Sequence, residues 1–286
     1  MIQVNNVDFA YKKGKLIFDN LTMKFEPGAI YGLLGKNGSG KTSLMKLISG
    51  LRYPKTGNIS IDGIDSVGRS PEYLSKYFLI PEEFDFPSIT IESFVELYSP
   101  FYPGFEYSQF EHYLSEFEVL QNSIITKLSL GQKKKFLLAF GLACNTEVML
   151  MDEPTNGLDI PSKVQFRKIL AGLADTNKTF IISTHQIKDI EEIVDHISII
   201  HHGQLRFSSA IDGIIENLVF SEKQEHNESE ILYEEKQFGS TRIVGKNIDN
   251  QYTPVDLELL FNAVLVNDKK IKEIFDKNKI ENHATV

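Results

Sequence analysis

The stretch that decides the fold is Gly35-Lys36-Asn37-Gly38-Ser39-Gly40-Lys41-Thr42. It has the spacing G-x-x-x-x-G-K-[ST] of a phosphate-binding loop. Before it, Ala29-Ile30-Tyr31-Gly32-Leu33-Leu34 reads as a buried strand. After it, Ser43-Leu44-Met45-Lys46-Leu47-Ile48 reads as the first turns of a helix. Strand, glycine loop and helix in that order are the context the motif requires. Gly35, Gly38 and Gly40 let the main chain turn tightly and bring N–H groups against phosphate oxygens. The helix start adds partial positive charge at the same spot. Lys41 is placed to reach the β- and γ-phosphates, and Thr42 offers a hydroxyl to Mg²⁺.

Working outward, Val148-Met149-Leu150-Met151 is a short continuous apolar run, as in a strand covered on both faces of a parallel sheet. It ends in Asp152-Glu153, at the strand edge where open α/β sheets bind ligands. Beside a phosphate loop, the first acid suits Mg²⁺ and the second suits a base for water. Pro154 to Asp159 reads as a turn, and a helix opens near Pro161. On that helix Phe166, Ile169, Leu170 and Leu173 share one face. Phe180-Ile181-Ile182 is another apolar run, ending in Ser183-Thr184-His185 at the same edge of the sheet. Between these strands lies Leu128-Ser129-Leu130-Gly131-Gln132. A helix follows, with Phe136, Phe140, Ala143 and Cys144 on one face. Ser129 and Gly131 fall at its start, where exposed N–H groups capture anions. Lys133, Lys134 and Lys135 read as a solvated helix face.

Composition sets the outer limits. The chain has 286 residues, with 42% hydrophobic and 24% charged, ordinary for a globular protein. A net charge of −9 argues against a general electrostatic hold on nucleic acid. No apolar run approaches the ~18–20 residues that span a bilayer. The first residues lack the charged-then-apolar form of a signal peptide. The single cysteine, Cys144, excludes an internal disulfide, fits a reducing compartment and reads as a buried residue.

Taken together, these motifs resemble the nucleotide-binding subunit of ATP-binding cassette (ABC) transporters, from about Val4 to Gly203. Tyr11 matches the aromatic that stacks on adenine. Gly35 to Thr42, with Ser43 after it, matches Walker A. Leu128 to Gln132 matches the signature, usually Leu-Ser-Gly-Gly-Gln. Asp152 and Glu153 match the Walker B aspartate and the catalytic base, Leu158-Asp159 the D-loop, and His185 the switch histidine. The resemblance thus implies catalytic roles for Glu153 and His185. It implies ATP contacts for Tyr11, Gly35, Lys36, Asn37, Gly38, Ser39, Gly40, Lys41, Thr42, Ser43, Glu82, Ser129, Gly131, Gln132 and Asp159. Mg²⁺ would be held by Thr42, Asp152 and Glu82. Two positions depart from the pattern. Leu130 stands where glycine is commonest in the signature, with Gly131 kept. Glu82 stands where the Q-loop glutamine should follow Tyr77 to Pro81. A carboxylate there offers oxygen as the amide does, but it adds negative charge and lacks the amide donor.

The implied fold is an α/β P-loop NTPase with a mixed ATP-binding sheet, an inserted helical subdomain and a small C-terminal appendage. Residues 1–208 would be the ATP-binding domain, with residues 84–145 as the insert and 209–286 as the accessory region. The insert is rich in aromatics. Most read as subdomain core and the rest as a groove for a membrane subunit, with the Phe84 to Phe105 stretch as the docking surface. Phe101-Tyr102-Pro103-Gly104-Phe105 looks like a segment of ABC-2 exporter cassettes. The implied partners are separate transmembrane permease subunits and a second ATPase subunit, identical or homologous, but no nucleic acid. The implied place is cytoplasmic, on the inner face of the cell membrane. A soluble or regulatory ABC-type ATPase not coupled to transport is the alternative.

Past Gly203 the pattern fades. Glu222 to Glu235 reads as an acidic linker or mobile loop. Ile231-Leu232-Tyr233 and Thr241-Arg242-Ile243-Val244 read as short strands. Thr253-Pro254-Val255-Asp256 reads as a helix start, with Leu257, Leu260, Phe261 and Val264 on one face. His201-His202 is no metal pair if both lie in a strand, because adjacent residues then point to opposite faces.

Overall fold

In the chain's computed structural model the described residues are 1–12, 14–173, 177–223 and 231–283, with side chains described as far as residue 276. Two sheets enclose the helix that follows the phosphate loop. The first is antiparallel and holds β1 (Ile2–Phe9), β2 (Phe18–Phe25), β4 (Thr56–Ile61) and β5 (Ile64–Asp65), in the order β2-β1-β4-β5. The second holds β3 (Ile30–Leu34), β6 (Tyr77–Ile80), β7 (Val148–Asp152), β8 (Thr179–Thr184), β9 (His196–His201) and β10 (Gln204–Ala210), in the order β10-β9-β3-β8-β7-β6. Its strands pair in parallel except for β10, which runs antiparallel to β9. The mixed ATP-binding sheet is therefore this second one. The separate antiparallel sheet was not anticipated from the residues.

The apolar runs are continuous because both faces of the parallel sheet are covered. Tyr31, Leu33, Val148, Leu150 and Ile181 face one core. That core also contains Leu44, Met45, Leu47 and Ile48 of α1 (Lys41–Ile48) and the inner face of the antiparallel sheet. Ile30, Leu34, Met149, Met151, Phe180 and Ile182 face the other core, shared with the helical insert and the C-terminal region. Alternation along each strand assigns its residues to the two cores in turn.

After α2 (Pro71–Ser75) and β6, the insert contains α3 (Ile91–Tyr98), α4 (Tyr107–Glu116) and α5 (Leu130–Ala143). Thr90 caps α3 by accepting from the Ser93 N–H at 3.1 Å. Phe94 meets Phe136 and Phe140 edge to face, at 5.2 Å between centroids in each case. Such pairs add ~0.5–1.5 kcal/mol each beyond their buried area. Here α5 is buried nearly all round rather than on one stripe, and Cys144 is buried just beyond its end.

Helix α6 (Ile160–Ala171) packs Phe166 and Leu170 on the sheet, with Ile169 and Leu173 partly buried beside them. Beyond β10 come α7 (Ile211–Asn217), then β11 (Leu218–Glu222), β12 (Ile231–Gln237) and β13 (Ser240–Lys246) in a small sheet ordered β11-β13-β12, and α8 (Leu257–His283). Strand β10 runs through position 208, so the expected domain boundary falls within a strand. The acidic linker is also shorter than expected, because Glu222 ends β11 and residues 231–235 belong to β12. Residues 224–230 of that stretch lie outside the described residues. Asp256 caps α8 by accepting from the Leu259 N–H at 2.9 Å. Leu257, Leu259, Leu260, Ala263 and Val264 are buried, whereas Phe261 is only partly so. The helix breaks at Asn267 (φ −132°, ψ 37°), whose side-chain amide donates to the Leu232 carbonyl at 2.6 Å.

Candidate functional site

The loop after β3 turns on itself, with the Ser39 N–H donating to the Lys36 carbonyl at 3.0 Å. Gly40 then takes φ +114°, and a Cβ there would lie 2.6 Å from the Phe18 ring. Conformation and space both require glycine at this position. Helix α1 starts directly after it with no side-chain cap and no acid in its first turn. Its leading N–H groups and dipole are thus available to an anion. Lys41 is buried and donates to the Gly35 carbonyl at 2.7 Å. Burial pushes its pKa below the ordinary lysine value, opposed by Glu153, Asp152 and Glu82. This donor-rich, uncapped cradle fits a polyphosphate. A hydroxyl at Thr42 and carboxylates at Asp152 and Glu82 are hard oxygen donors of the kind Mg²⁺ takes.

A cleft of about 460 Å³ opens over the loop. It brings together Tyr11, Asn37, Gly38, Ser39, Gly40, Lys41, Thr42, Ser43, Glu82, Glu153 and His185. Gly35 and Lys36 lead into it. Tyr11 is 41% exposed. Its hydroxyl accepts from Ser43 Oγ at 3.2 Å, and the Arg52 guanidinium carbon lies 5.8 Å from its ring centroid.

At the end of β7, Asp152 is buried and accepts from Ser183 Oγ. Glu153 is 4% exposed and takes a left-handed backbone, φ +48°. Its N–H donates to the Ser183 carbonyl at 2.9 Å. One carboxylate oxygen accepts from Thr184 Oγ1 at 3.1 Å, and the other lies 2.8 Å from His185 Nδ1. An ionised carboxylate can only accept, so the Nδ1 proton belongs between them. Both oxygens are thus held in a fixed direction at the cleft wall. Ser183 and Thr184, quoted only as the polar end of a strand, are the groups that orient the two acids.

Four expected nucleotide contacts lie outside this cleft. Ser129 and Gln132 close a capping box at the start of α5, with bonds of 3.2 and 3.1 Å. Gly131 packs so closely that a Cβ would sit 2.8 Å from the Gly157 carbonyl. Asp159 caps α6, accepting from the Ser162 hydroxyl and from the Ser162 N–H at 2.9 Å, and it lies 3.8 Å from Lys135 Nζ. The Ser162 hydroxyl, more than any other group, holds Asp159 below the usual carboxylate range. The segments at Ser129–Gln132 and Gly157–Asp159 thus touch each other, and neither lines the cleft.

Lys134 departs from the sequence expectation. It is 2% exposed, not part of a solvated face. Its spacing before Leu137, Leu138 and Gly141 carries the signal, because i, i+3, i+4 and i+7 lie on one helix side. The histidines also differ from the expected arrangement. His201 ends β9, but His202 lies in the turn with φ +49°, and their rings pack 4.0 Å apart. Among the described residues, no group of three or more His, Cys, Asp or Glu is placed to hold a metal.

An α/β fold with a strand–loop–helix phosphate cradle, facing a buried acid pair across the sheet edge, defines a P-loop nucleotide hydrolase. A family model described as ABC transporter matches residues 18–156. The SkfA peptide export ATP-binding protein SkfE of Bacillus subtilis is 31% identical over 211 residues, covering 72% of this chain and 87% of that protein. Nod factor export ATP-binding protein I of Burkholderia lata is 31% identical over 212 residues, covering 71% and 69%. The post-hydrolysis dimer of the ATP-binding cassette MJ0796 with ADP and Pi superposes with TM-score 0.66 at 25% identity, covering 74% of this chain and 99% of that one. The chain belongs to the ABC transporter family, in which it is an ATP-binding subunit and an ATP hydrolase. Among the described residues, no helix is long and apolar enough to cross a membrane.

Proposed function

We propose that this chain powers export as one of two cassettes that close on ATP in head-to-tail fashion, on the cytoplasmic face of a membrane. The observation that carries this reading is the separation of the Lys41 cleft from the Ser129–Asp159 face. Each cleft is then completed by the Ser129, Gly131, Gln132 and Asp159 face of the partner cassette. In this reading the ATP-binding unit runs to the end of β10 at Ala210, and the residues after it form the accessory region. The export-named relatives support the direction of transport.

The residues divide the chemistry among them. Tyr11 stacks on adenine. Asn37 to Ser43 wrap the phosphates, and Lys41 neutralises the β- and γ-phosphates. Thr42, Asp152 and Glu82 would hold Mg²⁺, which would supply positive charge against the phosphate oxygens. Glu153 takes a proton from the attacking water as the bond between the γ-phosphorus and the ADP oxygen breaks. His185 holds the Glu153 carboxylate in place and faces the γ-phosphate. Closure excludes water and reopening follows hydrolysis, the usual logic of nucleotide-driven gates.

Glu82 gives a first test. If its carboxylate serves as an oxygen donor, Glu82→Gln keeps turnover near the parental rate. Glu82→Ala should lose about tenfold, the equivalent of ~1.4 kcal/mol in barrier. Parental ATPase rates in both variants, measured with the membrane partner present, would make Glu82 an ordinary surface acid.

The membrane subunit gives a second test. Phe84, Phe86, Phe94, Tyr102 and Phe105 pack inward, which narrows the expected docking stretch. Leu97 at 60%, Tyr98 at 40% and Phe101 at 70% exposure remain outward, at the end of α3 and just after it. Losing an aromatic anchor can cost ~2 kcal/mol, about thirtyfold in affinity. Phe101→Asp should therefore detach the chain from membranes while ATP binding persists. Fractionation of cells carrying the neighbouring membrane-protein genes reads this out. A chain that stays soluble with Phe101 intact, and cross-links to no integral membrane protein, defeats the transport reading.

A further inference from the structure

We propose that Lys134 is a positioning residue for hydrolysis: its buried ammonium ties the loop at Pro81-Glu82 to the main chain of Glu153. Lys134 Nζ lies 3.4 Å from the Pro81 carbonyl oxygen, 3.5 Å from that of Glu82 and 3.4 Å from that of Glu153. An ammonium has three donors, and three carbonyls surround this one. Its contacts are long and shared, so they hold by charge as much as by direction. The ring of Phe84 closes the site, its centroid 5.1 Å from Nζ. Burial works against the charge of Lys134, and Asp152, Glu82 and Glu153 support it.

The three carbonyls belong to two segments that sequence separates widely, 53 residues from Lys134 in one case and 19 in the other. The first segment leaves β6 and leads into the aromatic insert. The second is the left-handed turn that aims the Glu153 carboxylate. Lys134 itself stands on α5, one turn beyond the Ser129–Gln132 cap. One side chain thus joins the start of the insert, the signature helix and the acid. Displacing a reacting group by about an ångström can cost up to about a hundredfold in rate. A movement of the 81–84 loop therefore reaches Glu153 through Lys134, which does not itself line the cleft. This inference rests on the reading of Glu153 as the residue that activates water.

The test compares Lys134→Met, which keeps length and loses donors, with Lys134→Arg, which keeps both charge and donors. Lys134→Met is expected to lower kcat by about tenfold or more, while KM for ATP moves by less than about threefold. Lys134→Arg is expected to stay within about threefold of the parent in kcat. In nucleotide-free full-length protein, hydrogen exchange at the Glu153 amide, which donates to the Ser183 carbonyl, should speed about tenfold in Lys134→Met but not in Lys134→Arg. Parental kcat or parental exchange in Lys134→Met overturns the proposal. So does a folded Lys134→Arg that loses turnover as methionine does, which also decides the case if Lys134→Met does not fold. If Glu153→Gln hydrolyses ATP at the parental rate, the reading of Glu153 fails separately, and amide exchange at position 153 in the Lys134 variants still reports whether Lys134 holds that turn.

Discussion

Glu153→Gln is expected to bind ATP as the parent does and to lose turnover by ~10²–10⁴-fold, the usual contribution of a general base. Glutamine keeps the length and the oxygen that accepts from Thr184, but it cannot take a proton. The backbone at position 153 is left-handed and anchored to the Ser183 carbonyl, so the exchange of one oxygen for NH₂ leaves the turn in place. The His185 contact at 2.8 Å is the part most altered, because an amide nitrogen would face a donor there. With hydrolysis stopped, closure has no exit, and ATP should hold two chains together. Size-exclusion with Mg-ATP measures that, and a phosphate-release assay measures turnover. A monomer that still turns over at the parental rate would refute the assignment.

The second large effect is expected at Lys41. Its ammonium is the cation placed inside the phosphate loop, bonded to the Gly35 carbonyl. Lys41→Ala removes charge-assisted contacts worth ~2–4 kcal/mol, which is about thirtyfold to a thousandfold in ATP affinity. The same lysine lies within the electrostatic reach of Glu153, Asp152 and Glu82. Without it, these acids would meet the phosphates with less opposing charge from the protein. Equilibrium titration with ATP reads the loss, and the thermal midpoint of the nucleotide-free variant shows whether the loop still folds. Undiminished affinity would defeat the phosphate-clamp reading.

The two substitutions probe halves of the site that were legible to different degrees. The phosphate loop could be read because all its parts lie within a few residues: glycines for the turn, a strand before and a helix after. The acids at 152 and 153 could be placed at a sheet edge because an apolar run of strand length ends there. What the residues could not reveal is how Glu153 is held. Thr184 and His185 lie 31 and 32 residues further along the chain, and the pairing of β7 with β8 delivers them.

Lys134 shows the same limit more sharply. Within a run of three lysines, water is the expected surrounding, since a buried charge is costly unless it is paired or hydrogen-bonded. Only the packing of α5 against the segments at 81–84 and 153 supplies the carbonyls that make burial tolerable. The aromatics of the insert behave likewise. Their number marks a hydrophobic subdomain, yet Phe94 is enclosed and Phe101 is exposed because of where α3 and α5 meet.

By itself, then, the order of the residues determined the phosphate cradle, the apolar strands and the sequence of motifs that places this chain among cassette ATPases. These are local properties, written in spacing and periodicity. The tertiary structure alone decided the division into two sheets, the continuity of the 209–286 region with the main core and the separation of the signature face from the cleft. It also decided the burial of Lys134. Each of these depends on contacts between distant segments, and a segment's own sequence specifies the face it can bury but not the surface that will cover it.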